Sequence, residues 1–102
     1  MSEPLRALTD LDRVIHEPAR LMIVSLLYLT READFLWLLR QTELTKGNLS
    51  AHLGKLEQAG YVDVEKRFQG KIPQTLYRLT ESGRKELEQY RATLKRALED
   101  SR

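Results

Sequence analysis

Cysteine is missing from the 102 residues, so no disulfide and no thiolate-bound metal can form. The chemistry of a reducing compartment fits that lack. Long apolar runs are missing as well: "LMIVSLLYL" (21–29) and "FLWLL" (35–39) fall far short of the roughly 20 residues a membrane-spanning helix needs, and no charged-then-apolar leader opens the chain. A soluble, cytoplasmic protein without membrane contacts is expected. There is no glycine-rich phosphate loop and no serine in a recognisable nucleophile setting. The only two histidines, His16 and His52, form no i,i+4 metal-binding pair and have no sequence-local partner. No enzyme activity, metal or cofactor is expected. One small domain spanning 1–102 has room for a core but hardly for a catalytic cleft besides.

The net charge is only +2, yet it is unevenly spread. Residues 1–43 hold 5 basic and 7 acidic side chains, residues 44–80 hold 6 and 3, and residues 81–102 hold 6 and 5, for nets of −2, +3 and +1. An anionic partner is expected against the middle third.

Periodicity divides the chain into four or five helices and a hairpin. Leu8, Leu11 and Ile15 mark one stripe of a helix over about 5–16. Pro18 suits the first turn of the next helix, about 18–29, which is apolar nearly all round and should be central. Asp34 is a good N-cap for a third helix carrying Phe35, Leu38 and Leu39 on one face. With Phe35 at 0°, Leu36 falls at about 100° and Trp37 at about 200°, so Trp37 is predicted to point away from its own core, the alternative being that it packs under the first helix or a partner's helix.

In "LTKGNLSAHLGKLEQAGYV" (44–62), Thr45 is positioned as an N-cap, with Leu44 and Leu49 as a hydrophobic staple across it. Leu49, Leu53 and Leu56 at i, i+4, i+7 must face the core, leaving Gly47, Asn48, Ala51, Lys55 and Gln58 on the opposite side. Gly60 ends the helix. Two helices joined by "TEL" form a helix-turn-helix pattern over about 34–59. After Gly60 the period becomes two: "YVDVEKRF" and "TLYRL" read as the strands of a hairpin over 61–79, and "QGKIPQ" (69–74) reads as a protruding basic loop too long for a two-residue turn. Thr80 caps a final helix, about 81–99, where Leu87, Tyr90, Leu94 and Ala97 follow an a/d spacing with Leu98 beside them. So small a domain leaves that stripe little core to cover, which predicts burial against a second subunit.

Taken together, "LTKGNLSAHLGKLEQAGYV", the hairpin and "YRLTESGRKELEQY" resemble the winged-helix transcriptional regulators of the ArsR/MarR-like group, over about residues 10–95. The resemblance implies an α+β, mainly helical fold: a winged helix-turn-helix with a two-stranded wing and a C-terminal dimerisation helix. It also implies that helix 45–59 enters the DNA major groove and that the terminal helices, through Leu8, Leu11, Ile15, Leu87, Tyr90, Leu94, Ala97 and Leu98, form a homodimer on an inverted-repeat operator.

Chemistry agrees with that assignment. The Asn48 amide can pair bidentately with adenine, Gly47 and Ala51 allow close approach, and Thr45, Lys46, Ser50 and Lys55 suit phosphates. On the wing, Lys66, Arg67, Gln69, Lys71 and Gln74 would reach backbone or minor groove. Blander roles are open: Thr45 as mainly a cap, Asn48 completing that cap, His52 as either a partly buried hydrogen-bonded side chain or a phosphate ligand, and the wing cations as a solvated edge. A double-stranded DNA-binding regulator, more in keeping with a repressor, is the leading expectation. A winged-helix module docking a polymerase factor or another regulator through Trp37 and the apolar faces is the alternative.

Overall fold

The structure, a computed structural model, describes residues 2–100; Met1, Ser101 and Arg102, the outermost positions of the expected domain, lie outside them. In order, the elements are α1 (Glu3–Arg6), a 3-10 turn (Ala7–Asp10), α2 (Pro18–Thr30), β1 (Glu32–Asp34), α3 (Phe35–Thr42), α4 (Lys46–Gln58), β2 (Val62–Gln69), β3 (Ile72–Leu79) and α5 (Glu81–Asp100). The strands form one antiparallel sheet in the order β1-β3-β2. The fold is mainly helical α+β.

Local chemistry sets the helix ends. Pro18 occupies the first turn of α2, whose Glu17 carboxylate accepts from the Arg20 amide at 2.7 Å. Asp34 accepts from the Trp37 amide at 2.7 Å and Thr45 from the Asn48 amide at 3.1 Å, capping α3 and α4. At the far end of α4, Gly60 has φ +79°, its N–H donates to the Glu57 carbonyl at 3.0 Å, and the Tyr61 N–H donates to Leu56 at 3.0 Å. That pair of bonds is a Schellman ending, which needs the left-handed backbone glycine allows.

Ile23, Val24 and Leu27 of α2, Leu38 of α3 and Leu49 and Leu56 of α4 meet at 0% exposure, with Leu53 and Val62 at 2%. Burying each such side chain contributes about 1.5 to 3 kcal/mol. α2 is less enclosed than its composition predicts, because Leu29 near its end is 79% exposed.

Four expectations are corrected. The helix over 5–16 is absent: helical structure stops at Asp10, and the Asp12 carboxylate accepts from the amides of Val14 and Ile15 at 2.9 and 3.0 Å, turning the chain inward. Ile15 consequently sits in the core at 0% exposure. The sheet has three strands rather than two, since β1 pairs with Leu76, Tyr77 and Arg78 of β3. That extra strand explains the third correction: Trp37 is half-buried and packed against the core, beside Ala33 and Leu76, because the sheet supplies a second apolar neighbour for α3. Finally, β2 and β3 pair as far as Gln69 with Ile72, so the wing ends in a two-residue Gly70–Lys71 turn. Gly70 alone has positive φ there, +64°, the pattern of a type II′ hairpin.

The molecule measures 57 × 25 × 21 Å with a radius of gyration of 15.4 Å. A chain of this length packed as a sphere would give about 13 Å. The excess comes from α5, whose 20 residues span about 30 Å.

Candidate nucleic-acid interface

α4 turns a polar face outward because its leucines fix its rotation. Around the helix axis, Gly47, Ala51, Gly54 and Gln58 fall within about 40° of one line directly opposite Leu49, Leu53 and Leu56. Asn48 and Lys55 flank that line on one side and Ser50 on the other; all three are exposed, as are Lys46 and Gly47. A Cβ placed on Gly47 or Gly54 would meet nothing within 4 Å. Glycine inside a helix costs about 0.5 to 1 kcal/mol relative to alanine, and this chain's own packing offers no reason for either one. Gly54 joins the outer face assigned on sequence to Gly47, Asn48, Ala51, Lys55 and Gln58; the same angular arithmetic that selects Gly47 selects it.

Asn48 donates its backbone N–H to the Thr45 cap, while its side-chain amide makes no hydrogen bond among the described residues. Completion of the cap by the Asn48 side chain is therefore not what the structure shows. His52 lies at the edge of the leucine stripe, half-buried, with Nδ1 3.2 Å from Arg20 Nη1 and 3.8 Å from the Glu17 carboxylate. Arg20 also donates to the Val14 carbonyl at 2.6 Å, so His52 belongs to a cluster that ties α4 to the start of α2.

On the wing, strand alternation separates two faces. Lys66 and Phe68 continue the face of buried Val62, while Arg67 and Gln69 lie on the other. Arg67 donates to Gln74 Oε1 at 3.2 Å, and Gln74 donates in turn to Asp34 at 3.1 Å. The Trp37 amide, then Gln74, hold the Asp34 carboxyl below its usual range. Arg67 and Gln74 thus anchor the wing to the start of α3 beside Trp37 and line a cavity of about 380 Å³ there. Lys66, Gln69 and Lys71 are exposed. At the base of the wing, Arg78 bridges Glu65 at 2.6 Å and Glu32 at 3.2 Å, stapling the three strands.

The terminal stripes divide in two. Leu87 (2%), Tyr90 (7%), Ala97 (0%) and Ile15 (0%) are buried within the single chain, which corrects the view that these stripes lack a core. The Tyr90 hydroxyl meets His16 Nδ1 at 2.9 Å, and α1 packs along α5. Leu98 and the half-buried Leu94, which also packs against the core, line an open groove of about 910 Å³ with Tyr28, Arg91 and Lys95. Leu8 and Leu11 are half-buried at the opposite side. Two further contacts escaped the sequence reading. Tyr61 donates its hydroxyl to Asp12, and burial, reinforced by that bond, pushes the phenol well above its ordinary value. Gly83 lies so close to the Tyr61 carbonyl that a Cβ would stand 2.3 Å from the oxygen.

Comparison with known proteins agrees with this geometry. A family described as winged helix DNA-binding domain matches residues 19–98. An uncharacterized protein of Methanocaldococcus jannaschii is 33% identical over 79 residues, covering 76% of this chain and 85% of that protein. The solved structure of a transcriptional regulator homologue from Pyrococcus horikoshii superposes with a TM-score of 0.88 at 28% identity, covering 97% of each chain. That of the transcriptional repressor BigR from Xylella fastidiosa gives 0.65 at 29% identity, covering 85% of this chain and 79% of that one. The chain belongs to the winged helix DNA-binding domain family, whose members are DNA-binding transcriptional regulators rather than enzymes. No described helix is long and apolar enough to cross a membrane.

Proposed function

We propose that this winged-helix protein is a homodimeric, sequence-specific repressor that lays α4 in the major groove of double-stranded DNA and its wing on the flanking backbone and minor groove. One observation carries the reading: α4 presents an exposed Asn48 amide that is unpaired among the described residues, beside two glycines that the packing of those residues does not require. An amide so placed pairs bidentately with adenine, and glycine lets a helix approach base edges closely. Thr45, Lys46, Ser50 and Lys55 then meet phosphates around the groove, and Lys66, Gln69 and Lys71, with Arg67 and Gln74 behind them, do so from the wing. His52 acts through the Arg20 cluster, holding α4 in position.

For the dimer, the support is the projecting distal half of α5, where Leu94 and Leu98 line an open groove on an arm that elongates the molecule. A two-fold pairing of such arms sets two copies of α4 about 34 to 36 Å apart, one DNA turn, and calls for an inverted repeat with half-sites about 10 base pairs apart. The similarity to a protein described as a transcriptional repressor supports the direction of control. The protein-docking alternative, through Trp37 and the apolar faces, is weakened at Trp37, which is half-buried against the core.

Selection of bound sequences from random duplex DNA tests the proposal. Enrichment of an inverted repeat supports it; recovery of no preferred sequence overturns sequence-specific control, and a single unpaired half-site overturns the two-fold arrangement.

A further inference from the structure

Resting on the DNA-binding reading above, we infer that the tip of the wing is an apolar wedge that enters the minor groove and unstacks a base step, in addition to placing cations on the backbone. β1 pairs with β3 only up to Leu76, so beyond that point the hairpin is a two-stranded ribbon of four cross-strand pairs, from Lys66–Thr75 to Gln69–Ile72, tied to the body through the Gln74–Asp34 bond and projecting past it. Its end is unusually apolar for a free ribbon. Phe68 is 71% exposed and Ile72 69% exposed, and Pro73 is exposed with them. The register puts Phe68 opposite Pro73 on one face and Ile72 opposite Gln69 on the other, so apolar side chains flank the Gly70–Lys71 turn on both faces. None of them belongs to the core, and exposed apolar strand ends invite aggregation unless a partner covers them.

The charge around the tip identifies that partner. Along the ribbon, from residue 66 to residue 75, there are Lys66, Arg67 and Lys71 but no Asp or Glu, so the occupant is polyanionic. A polyanion that also offers stacked apolar faces is a nucleic-acid duplex. Paired strands lie about 4.8 Å apart, and with side chains the ribbon is wider than the roughly 6 Å minor groove, so the tip enters only if the groove opens. Opening is what Phe, Ile and Pro wedges accomplish elsewhere: they part a base step and kink the duplex by about 20 to 90°. Lys71, at the apex, and Lys66, behind Phe68, are placed to hold the two phosphate ridges while it does so.

The experiment uses the full-length protein and a duplex recovered from the random-sequence selection, with 2-aminopurine placed at successive positions flanking each half-site and an energy-transfer pair on the duplex ends. Wild type is expected to raise 2-aminopurine emission at one flanking step and to shorten the end-to-end distance. The Phe68→Ser/Ile72→Ser double variant should lose both signals, with its thermal unfolding and the salt dependence of its affinity unchanged. Lys71→Ala should do the reverse, keeping the emission change while the slope of log affinity against log salt falls by about one per subunit engaged. Tight binding by wild type with neither emission change nor bending, or signals that survive in the double variant, overturns the wedge while leaving the DNA-binding reading intact. Absence of any duplex binding at low salt overturns both, and Phe68-dependent binding to phosphatidylserine vesicles in its place would assign the tip to a membrane surface.

Discussion

Helices α4 and α5 both carry glycine inside a helical run, and the two sets are held by opposite constraints. Gly83 of α5 is pinned by its own chain, since a methyl group there would stand 2.3 Å from the Tyr61 carbonyl oxygen. Gly47 and Gly54 of α4 face open space. The first glycine is explained by folding, through the close seating of α5 on Tyr61 just beyond α4; the other two are explained by nothing within the described residues and fit the proposed DNA-facing surface. Leucine stripes divide in the same way. Leu53 and Leu87 are both 2% exposed, whereas Leu98, on a different face of α5 from its buried neighbour Ala97, is 63% exposed. Periodicity establishes that a face is buried, but not by which body.

Substitutions can break or sharpen this contrast. The largest effect is expected at Leu87: replacement by Ala should cost about 2 to 5 kcal/mol of unfolding free energy in denaturant titration, because the cavity opens in the protein's own core. Leu98→Ala should change the stability of the monomer unit by less than about 0.5 kcal/mol. Leu98→Glu should convert a dimer to monomer in sedimentation while the monomer stays folded. Comparable unfolding costs at the two positions would erase the distinction between the buried and open faces of α5.

Gly83→Ala comes next, with an expected loss of about 1 to 3 kcal/mol as the Tyr61 carbonyl is forced away. The caps follow. The Thr80 hydroxyl both accepts from the Gly83 amide at 3.0 Å and donates to the Gly60 carbonyl at 2.6 Å, whereas the Thr45 hydroxyl accepts from the Asn48 amide and has no second bond among the described residues. Thr80→Ala should therefore approach the upper end, and Thr45→Ala the middle, of the roughly 0.5 to 2 kcal/mol typical of cap removal. Equal losses would show that the Gly60 bond contributes nothing. Smallest, and opposite in sign, is Gly54→Ala, which should raise stability by about 0.5 to 1 kcal/mol. Its DNA affinity should fall at the same time; a variant gaining stability at undiminished affinity would detach Gly54 from the interface.

What the sequence made legible is what is decided locally. The Thr45, Asp34 and Thr80 caps, the Gly60 ending and the leucine stripe of α4 depend on residues within a turn or two of one another, and they read directly. β1 did not: three residues, "EAD", become a strand only by pairing with β3, far along the chain. That omission carried forward to Trp37, whose second neighbour is the sheet. The wing turn was misjudged because Ile72 and Pro73 look like loop residues until their pairing with Gln69 and Phe68 is known. Of the proposed interface, the α4 face followed from angular spacing alone, and Gly54 joins it by the same spacing. The partition of the terminal stripes between core and surface required three dimensions, since Ile15, Leu87, Tyr90 and Ala97 have the same spacing whichever body buries them.

Asn48 gives the most direct test that the outer face of α4 reads DNA. The measurement is the affinity of Asn48→Ala for the selected duplex and for its single-base variants. The structure already assigns the α4 cap to Thr45, so folding stability should be unaffected. Loss of about 1 to 3 kcal/mol on the preferred site, with discrimination flattened at one base pair in each half-site, is the predicted result. Unchanged affinity and an unchanged ranking of the base variants would contradict it.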